Sequence, residues 1–199
     1  MKELFIATSN TGKIKEFKEM LEPLGYQVLS LKDLQEEIEI EETGTTFEEN
    51  AILKATALAK ILNKMVLADD SGLEITALNN EPGIYSARYM GYDTSYKEKN
   101  LNLIQRLDGC SDRSARFVCC MALSDPSGNV KTFEGIVEGR IHHEIDGENG
   151  FGYDPIFYYP PYQTTMANLT NGQKHTISHR GKALAKVMEY FNEMETSAL

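Results

Sequence analysis

Two adjacent carboxylates follow a short apolar run in the middle of the chain. Asp69-Asp70-Ser71-Gly72 comes directly after Met65 to Ala68. Adjacent side chains in extended backbone point to opposite faces, so we expect only one of the two carboxylates to enter a site. Carboxylates suit Mg²⁺, which keeps several waters and shares phosphate oxygens with a substrate. A solvated acidic turn would have the same sequence, and both interpretations stay open at this point.

A polar segment near the start of the chain has the composition of an anion-binding loop. Thr8-Ser9-Asn10-Thr11-Gly12-Lys13 lies between an apolar strand and a segment with helical spacing of apolar residues. Backbone N–H groups at the start of a helix favour an anion, and Lys13 adds a positive charge. The segment matches neither of the two common glycine-rich phosphate motifs. A plain polar turn that caps the helix is the alternative interpretation.

A second pair of carboxylates precedes Thr43-Gly44. Glu41 and Glu42 follow an alternating segment around Ile38 and Ile40 that predicts a half-exposed strand. A Mg²⁺ ion shared with a substrate needs a second carboxylate from another segment, and either glutamate could supply it. Glu36 to Glu42 is acidic throughout, however, and this composition favours the alternative of a solvated edge.

An aromatic group and several hydrogen-bond donors lie near the end of the chain. Phe151-Gly152-Tyr153-Asp154 belongs to a glycine-rich stretch, where an aromatic ring can stack on a nucleobase or pack in a tight turn. Lys174 and the pair His179-Arg180 can donate to a carbonyl or a phosphate, although such residues are often surface features. Together the segments contain the groups that a nucleotide–Mg²⁺ site needs.

Hydrophobic periodicity predicts an α/β fold with a mixed central β-sheet flanked by helices. The start of the chain is strand, polar loop, helix and strand, which is typical of an α/β layer. A long hairpin around Asp125–Asn129 makes the sheet mixed rather than purely parallel. Further helices are predicted from a capping box at Thr46 and Glu49, over Ser95–Leu107, and over Gly181–Met194. A strand is expected to end at Asp69.

Bulk properties bound the classes of function. The 199 residues are 41% hydrophobic, which fits one sizeable core and a single domain over residues 1–199. The net charge of -10 argues against a nucleic-acid or membrane surface, but a metal ion and local cations can still hold a small phosphorylated ligand. Cys119 and Cys120 lie in an apolar run, and at least one of them is expected to pack in the core. No targeting segment is evident, so a cytoplasmic protein is expected.

The motifs resemble those of the inosine triphosphate pyrophosphatase family, which hydrolyses dITP, ITP and XTP to the monophosphate and pyrophosphate. The similarity covers nearly the whole chain. The matching segments are Ala7–Lys13, Glu41–Ala51, Ala68–Leu73, Pro82–Tyr89, Phe151–Phe157 and Ser178–Gly181.

The resemblance implies an elongated, two-lobed α/β fold with a central cleft, and a homodimer. It implies a purine nucleoside triphosphate as substrate and Mg²⁺ as cofactor. Asp70 would be the general base and a metal ligand, with Glu41 or Glu42 assisting the metal. The implied substrate-binding residues are Thr8, Ser9, Asn10, Thr11, Gly12, Lys13, Ser71, Phe151, Gly152, Tyr153, Asp154, Lys174, His179 and Arg180.

Two other functions remain compatible with the same residues. One is a Maf-like nucleotide pyrophosphatase with a different base preference. The other is a nucleotide-binding or RNA-end-binding module without catalysis. Pyrophosphate release from a panel of triphosphates, with and without a metal chelator, separates these possibilities.

Overall fold

The computed structural model describes residues 2–197 and has the α/β architecture with a mixed sheet and flanking helices that the periodicity predicts. The sheet order is β2-β1-β3-β5-β6-β7-β8, with β4 paired to β3. The pairs of β1 with β2 and β3 are parallel, and β4, β7 and β8 pair antiparallel with their neighbours. The strands are β1 Lys2–Ile6, β2 Tyr26–Ser30, β3 Val66–Ile75, β4 Glu81–Pro82, β5 Ser114–Ser124, β6 Val130–Ile141, β7 Phe157–Tyr159 and β8 Thr164–Thr165.

Five α-helices lie among the described residues, and none of these is long and apolar enough to cross a bilayer. The first three and the last agree with the predicted helices to within a few residues, whereas α4 is additional. The helices are α1 Thr11–Leu21, α2 Phe47–Leu62, α3 Tyr96–Arg106, α4 Asn171–Ile177 and α5 His179–Ser197.

The chain folds into two compact units. Unit 1 contains the chain up to Asp70, then Cys119–Gly135, and then the chain from Arg180 onwards. Unit 2 contains Ser71–Val118 and Ile136–His179. Each of the strands β3, β5 and β6 therefore has one part in unit 1 and the other part in unit 2.

The core of unit 1 is built on both faces of its strands. On one face Ile6 and Leu67 pack with Phe17 of α1, and on the other Phe5 and Ala68 pack with residues of α2. Because side chains alternate along a strand, Asp69 falls on the face of Leu67 and Asp70 on the face of Ala68. Cys119 and Cys120 are buried, as expected for core residues.

The predicted end of the strand at Asp69 is wrong, because β3 continues through Asp69-Asp70-Ser71-Gly72 to Ile75. Asp69 is 0% and Asp70 6% exposed, so both carboxylates lie inside the protein rather than in a solvated turn. Acidic residues favour an exposed turn when water is the only group that stabilises their charges. Here cationic side chains hold the Asp69 carboxylate within the strand.

The predicted strand around Ile38 and Ile40 is also absent. Both isoleucines pack against the α2-side core cluster of unit 1, which explains the alternation without a strand partner. The capping box of α2 is only half formed. Thr46 accepts a hydrogen bond from the Glu49 N–H at 3.1 Å, but the Glu49 carboxylate accepts from the N–H of Thr45 at 2.6 Å.

Unit 2 has its own core, to which β5, β7 and α3 contribute Phe117, Phe157 and Leu103. Gly139 of β6 is required here, since a Cβ would lie 2.5 Å from the Phe157 ring. Helix α4 begins with a capping box between Thr170 and Gln173. The core and α4 position the segments of unit 2 that carry site residues.

Candidate functional site

Asp69 is the buried anion around which the charged groups of unit 1 gather. Its Oδ2 lies 3.1 Å from Lys13 Nζ and 3.3 Å from Arg180 Nη2, and Cys119 Sγ lies at 3.9 Å. Burial would raise the pKa of Asp69, but the positive charges of Lys13, Arg180 and Lys54 outweigh it and hold the pKa well below its usual range. Asp69 is therefore a permanent negative charge that positions cations.

Arg180 is inside unit 1 and its guanidinium is engaged by carboxylates. It is 2% exposed, and its Nη1 donates to Glu16 Oε2 at 2.5 Å while its Nη2 reaches Asp69. Burial opposes the charge, but Glu16 and Asp69 raise the pKa of Arg180 above its ordinary value. Glu16 lies outside the motifs that indicate the other site residues. The available hint was its position one turn after Lys13 on α1.

Asp70 has the opposite electrostatic character from its neighbour. Burial raises the pKa of its carboxyl to about 6, and the charges of Glu42 and Asp69 add to this effect. Lys54 and Lys13 act in the other direction but do not cancel the shift. A carboxylate that takes up a proton near neutral pH has the property that a general base needs.

Lys54 of α2 lies close enough to Asp70 for their charges to interact, although no motif indicates a role for this lysine. Its Nζ lies 2.7 Å from Glu42 Oε1 and 2.7 Å from the backbone carbonyl of Asp69. Burial lowers the pKa of Lys54, but the negative charges of Asp70, Asp69 and Glu42 outweigh this effect. The net result is a raised pKa, so the amine stays charged. A signal was present, because Lys54 is three residues after Ala51 and four before Leu58 on the buried stripe of α2.

Of the two candidate glutamates, Glu42 is the one that lies with this group. It pairs with Lys54 and its charge acts on Asp70. Glu41 is exposed, and within residues 2–197 its side chain makes no ion pair or hydrogen bond. The side chain of Asn50 fixes the segment that follows, since its Oδ1 accepts from the Gly44 N–H at 2.8 Å.

The Thr8–Lys13 segment forms the start of α1. Asn10 is the N-cap and its Oδ1 accepts from the Lys13 N–H at 3.0 Å, while Thr8 Oγ1 accepts from the Asn10 N–H at 3.1 Å. Ser9 is exposed. The first turn of α1 holds no acidic residue, and Lys32 Nζ donates to Thr11 Oγ1 at 2.8 Å. Helix polarity and lysines thus make this end of α1 suitable for an anion.

Acidic side chains outnumber basic ones in the connected group of unit 1. The group holds one more negative than positive charge when all of its members are ionised: Glu16, Glu42, Asp69 and Asp70 against Lys13, Lys54 and Arg180. A triphosphate bound here would add further negative charge. Because the negative charge would then be uncompensated, an additional cation is expected to bind beside any such ligand.

In unit 2, Asp154 closes the turn that carries Phe151. Asp154 is 3% exposed, and its Oδ2 accepts from the Phe151 N–H at 2.9 Å and from Lys174 Nζ at 2.6 Å. Gly150 is required because a Cβ there would lie 2.1 Å from that oxygen. Lys174 Nζ also lies 4.9 Å from the centre of the half-buried Phe151 ring. The result is a fixed aromatic ring with a cation beside it.

The other predicted residues of unit 2 either pack next to this turn or lie in the core of the unit. The Tyr153 hydroxyl donates to the Ser86 carbonyl at 2.5 Å, and burial raises the pKa of Tyr153. The His179 ring is 5% exposed and stacks on Phe117 at 4.7 Å. Ser71 is half-buried in β3.

Most of the predicted residues therefore fall into two groups, one in each unit. Unit 1 holds the Thr8–Lys13 segment, Glu42, Asp70 and Arg180, and unit 2 holds Phe151–Asp154 with Lys174. The fold and the two groups define an α/β protein with a buried, titratable carboxylate among lysines and a separate fixed aromatic turn. The group in unit 1 suits a phosphorylated ligand, and the turn in unit 2 suits a flat ring.

Comparison with known proteins agrees with this description. The model of the Ham1 family matches residues 4–190, so the chain belongs to that family. It is 54% identical over 189 residues to the dITP/XTP pyrophosphatase of Bacillus subtilis, which covers 94% of this chain and 96% of the relative. It is 51% identical over 185 residues to a protein of the same name from an Exiguobacterium species, covering 93% and 94%.

Solved structures of Ham1 proteins have the same fold. The Staphylococcus aureus protein matches with a TM-score of 0.85 and 50% identity, covering 98% of this chain and 100% of that one. The Coxiella burnetii protein matches with a TM-score of 0.87 and 42% identity, covering 97% and 100%. The family resemblance seen in the motifs is confirmed.

Proposed function

We propose that this protein hydrolyses the non-standard purine nucleoside triphosphates XTP, dITP and ITP to the monophosphate and pyrophosphate, and so cleans the nucleotide pool. The observation that carries the proposal is Asp70, a buried carboxylate with a pKa of about 6 beside Lys54 and Lys13. The names of its relatives agree with this activity.

In this proposal unit 1 binds the phosphates and performs the chemistry. The N-terminal turn of α1, Lys13 and Lys54 bind the triphosphate oxygens and offset the charge that builds on them. Asp70 orients a water molecule and accepts its proton as the oxygen attacks the α-phosphorus. The bond between the α-phosphorus and the bridging oxygen breaks, and pyrophosphate leaves with the electron pair. Arg180 acts through Asp69, which holds Lys13 in place.

We further propose Mg²⁺ as the cofactor, with Asp70 and Glu42 as its protein ligands. The donor set fits a hard cation, because the carboxylates of the connected group, Glu42 included, outnumber its cationic side chains by one. Mg²⁺ needs few protein ligands, because it completes its shell with water and with phosphate oxygens of the substrate. When bound, the ion supplies positive charge that offsets the charge of the phosphate oxygens.

The affinity of the substrate-free protein for Mg²⁺ is expected to fall about tenfold between pH 7.5 and pH 5. A proton competes with the metal for Asp70, and a pKa of about 6 places most of that competition below neutral pH. Titration of Mg²⁺ at both pH values, followed by calorimetry or thermal shift, measures the effect. The pH dependence should disappear in Asp70→Asn, and equal affinities of the unaltered protein at both pH values would refute the assignment.

Unit 2 is proposed to bind the base. Phe151 stacks on the purine, and His179, Lys174 and backbone N–H groups donate to an oxygen at position 6. Arg180 is left out of this set because its guanidinium pairs with Glu16 and Asp69. Adenine presents an amine at position 6, which leaves a buried donor facing a donor and costs about 1–3 kcal/mol per unpaired group.

The test is pyrophosphate release from a panel of ITP, dITP, XTP, GTP, ATP and UTP, with and without EDTA. We expect kcat/KM for ITP and XTP to exceed that for ATP by at least about tenfold, and EDTA to abolish turnover. A preference for a pyrimidine triphosphate would favour the Maf-like alternative. Binding without pyrophosphate release would favour the non-catalytic module.

Three further properties are proposed from the same resemblance. Residues 1–199 act as one functional domain, the protein is a homodimer, and it works in the cytoplasm. Light scattering of the purified protein tests the second point, because a homodimer has twice the 22.4 kDa of one chain.

A further inference from the structure

Asn100 of α3 is a buried amide that contacts the base-binding turn of unit 2. It is 2% exposed, and its Nδ2 donates to the Gly152 carbonyl at 3.1 Å. Its Oδ1 is buried and accepts no hydrogen bond from residues 2–197. A buried acceptor without a hydrogen bond destabilises the folded protein. An apolar residue of similar size at this position would therefore give a more stable fold. The amide at this position is therefore best explained by what its N–H group does.

Other residues of α3 and its surroundings hold the same region. Tyr96 meets the Tyr153 ring edge-to-face at 5.2 Å and lies 3.6 Å from where a Cβ on Gly152 would be. Lys99 is 1% exposed and donates to the Ala87 carbonyl at 2.8 Å, next to the Ser86 carbonyl that accepts from Tyr153. The helix thus fixes both the turn and the segment on which Tyr153 rests.

We propose that Asn100 is a positioning residue that sets the affinity for the purine base by holding the Gly152 carbonyl. The inference rests on the proposed function, in which Phe151 stacks on the base. It adds a determinant of base binding on α3 that the motifs did not indicate.

The geometry explains why one hydrogen bond matters at this place. Gly152 has a φ of +66°, a left-handed conformation that glycine adopts without strain and can also leave easily. Asp154 fixes the turn at the N–H of Phe151, and Asn100 fixes it at the carbonyl of Gly152. Without the second contact, the peptide after Gly152 can rotate, and the Phe151 ring no longer keeps one orientation for stacking.

Asn100→Leu tests this role, with Asn102→Leu as the matched control on the same helix. The Asn102 side chain accepts from the Tyr89 hydroxyl at 2.7 Å. We expect Asn100→Leu to raise KM for ITP about five- to tenfold, the effect of one hydrogen bond, with kcat within about twofold of the unaltered protein. Inorganic tripolyphosphate, which has no base, should inhibit competitively with an unchanged inhibition constant. Asn102→Leu should change neither constant.

The smaller Asn100→Ala guards against loss of folding through a steric clash, since it also removes the donor and should give the same split between KM and the inhibition constant. An unchanged KM in both variants overturns the proposal. A parallel rise in KM and in the tripolyphosphate constant, or loss of folding in both variants, assigns Asn100 a merely structural role and also overturns it. Absence of pyrophosphate release from ITP by the unaltered protein would instead refute the proposed function.

Discussion

Replacing Asp70 with Asn is expected to lower kcat for ITP by at least about a thousandfold, while ITP still binds with a Kd within about tenfold of the unaltered protein. The amide keeps the shape of the side chain but cannot accept a proton from water at neutral pH. It is also a poor ligand for Mg²⁺. Binding persists because Lys13, Lys54 and the start of α1 remain in place. Pyrophosphate release measures kcat, and calorimetry with ITP measures binding.

Asp108→Asn, the same substitution at an exposed position after α3, is the control and should leave kcat unchanged. An Asp70→Asn variant that turns over ITP within about tenfold of the unaltered rate would show that another group activates the water. A variant that loses ITP binding entirely would assign Asp70 to binding rather than to the chemical step.

The second large effect concerns stability, where the two adjacent aspartates are expected to behave in opposite ways. Asp69→Asn should lower the free energy of unfolding by about 3–5 kcal/mol, because it leaves the partly buried Lys13 and the buried Arg180 without their shared anion. Asp70→Asn should raise it by about 1–3 kcal/mol in metal-free protein at pH 7, because folding disfavours the ionised form of that carboxyl.

The signs follow from the direction of each pKa shift. The pKa of Asp70 rises from 3.8 to about 6 on folding, so the stability that protonation contributes is lost as pH rises across that interval. The pKa of Asp69 falls on folding, so its contribution is present above the unfolded value of 3.8 and is lost as pH falls below it. Urea unfolding of both variants in EDTA measures the two free energies. Shifts of the same sign would contradict the electrostatic description of β3.

Local patterns in the sequence predicted much of the fold. The 3.6-residue period and the caps identify α1, α2 and α3, because those signals lie within one or two turns of the chain. The break at Asp69 was predicted wrongly, because the partners that stabilise a buried carboxylate are distant in sequence. Arg180 lies 111 residues away from Asp69 and 164 from Glu16. No local pattern reveals such a pair.

The candidate site was predictable to the extent that its residues occur in short motifs. Asp70, Lys13 and the Phe151 turn all lie in such motifs, and the structure connects them to charged or aromatic neighbours within their own units. Lys54 and Asn100 were missed because each is a polar residue inside a helix, where its role depends on which side chains face it after folding.

The central claim is that water attacks the α-phosphorus of a 6-oxopurine triphosphate, and oxygen labelling tests it most directly. ITP hydrolysed in ¹⁸O-enriched water should give IMP that carries one labelled oxygen and pyrophosphate that carries none. Label in the pyrophosphate would mean attack at the β-phosphorus, and release of labelled inorganic phosphate would mean attack at the γ-phosphorus. Either result would contradict the function proposed for Asp70 and its neighbours.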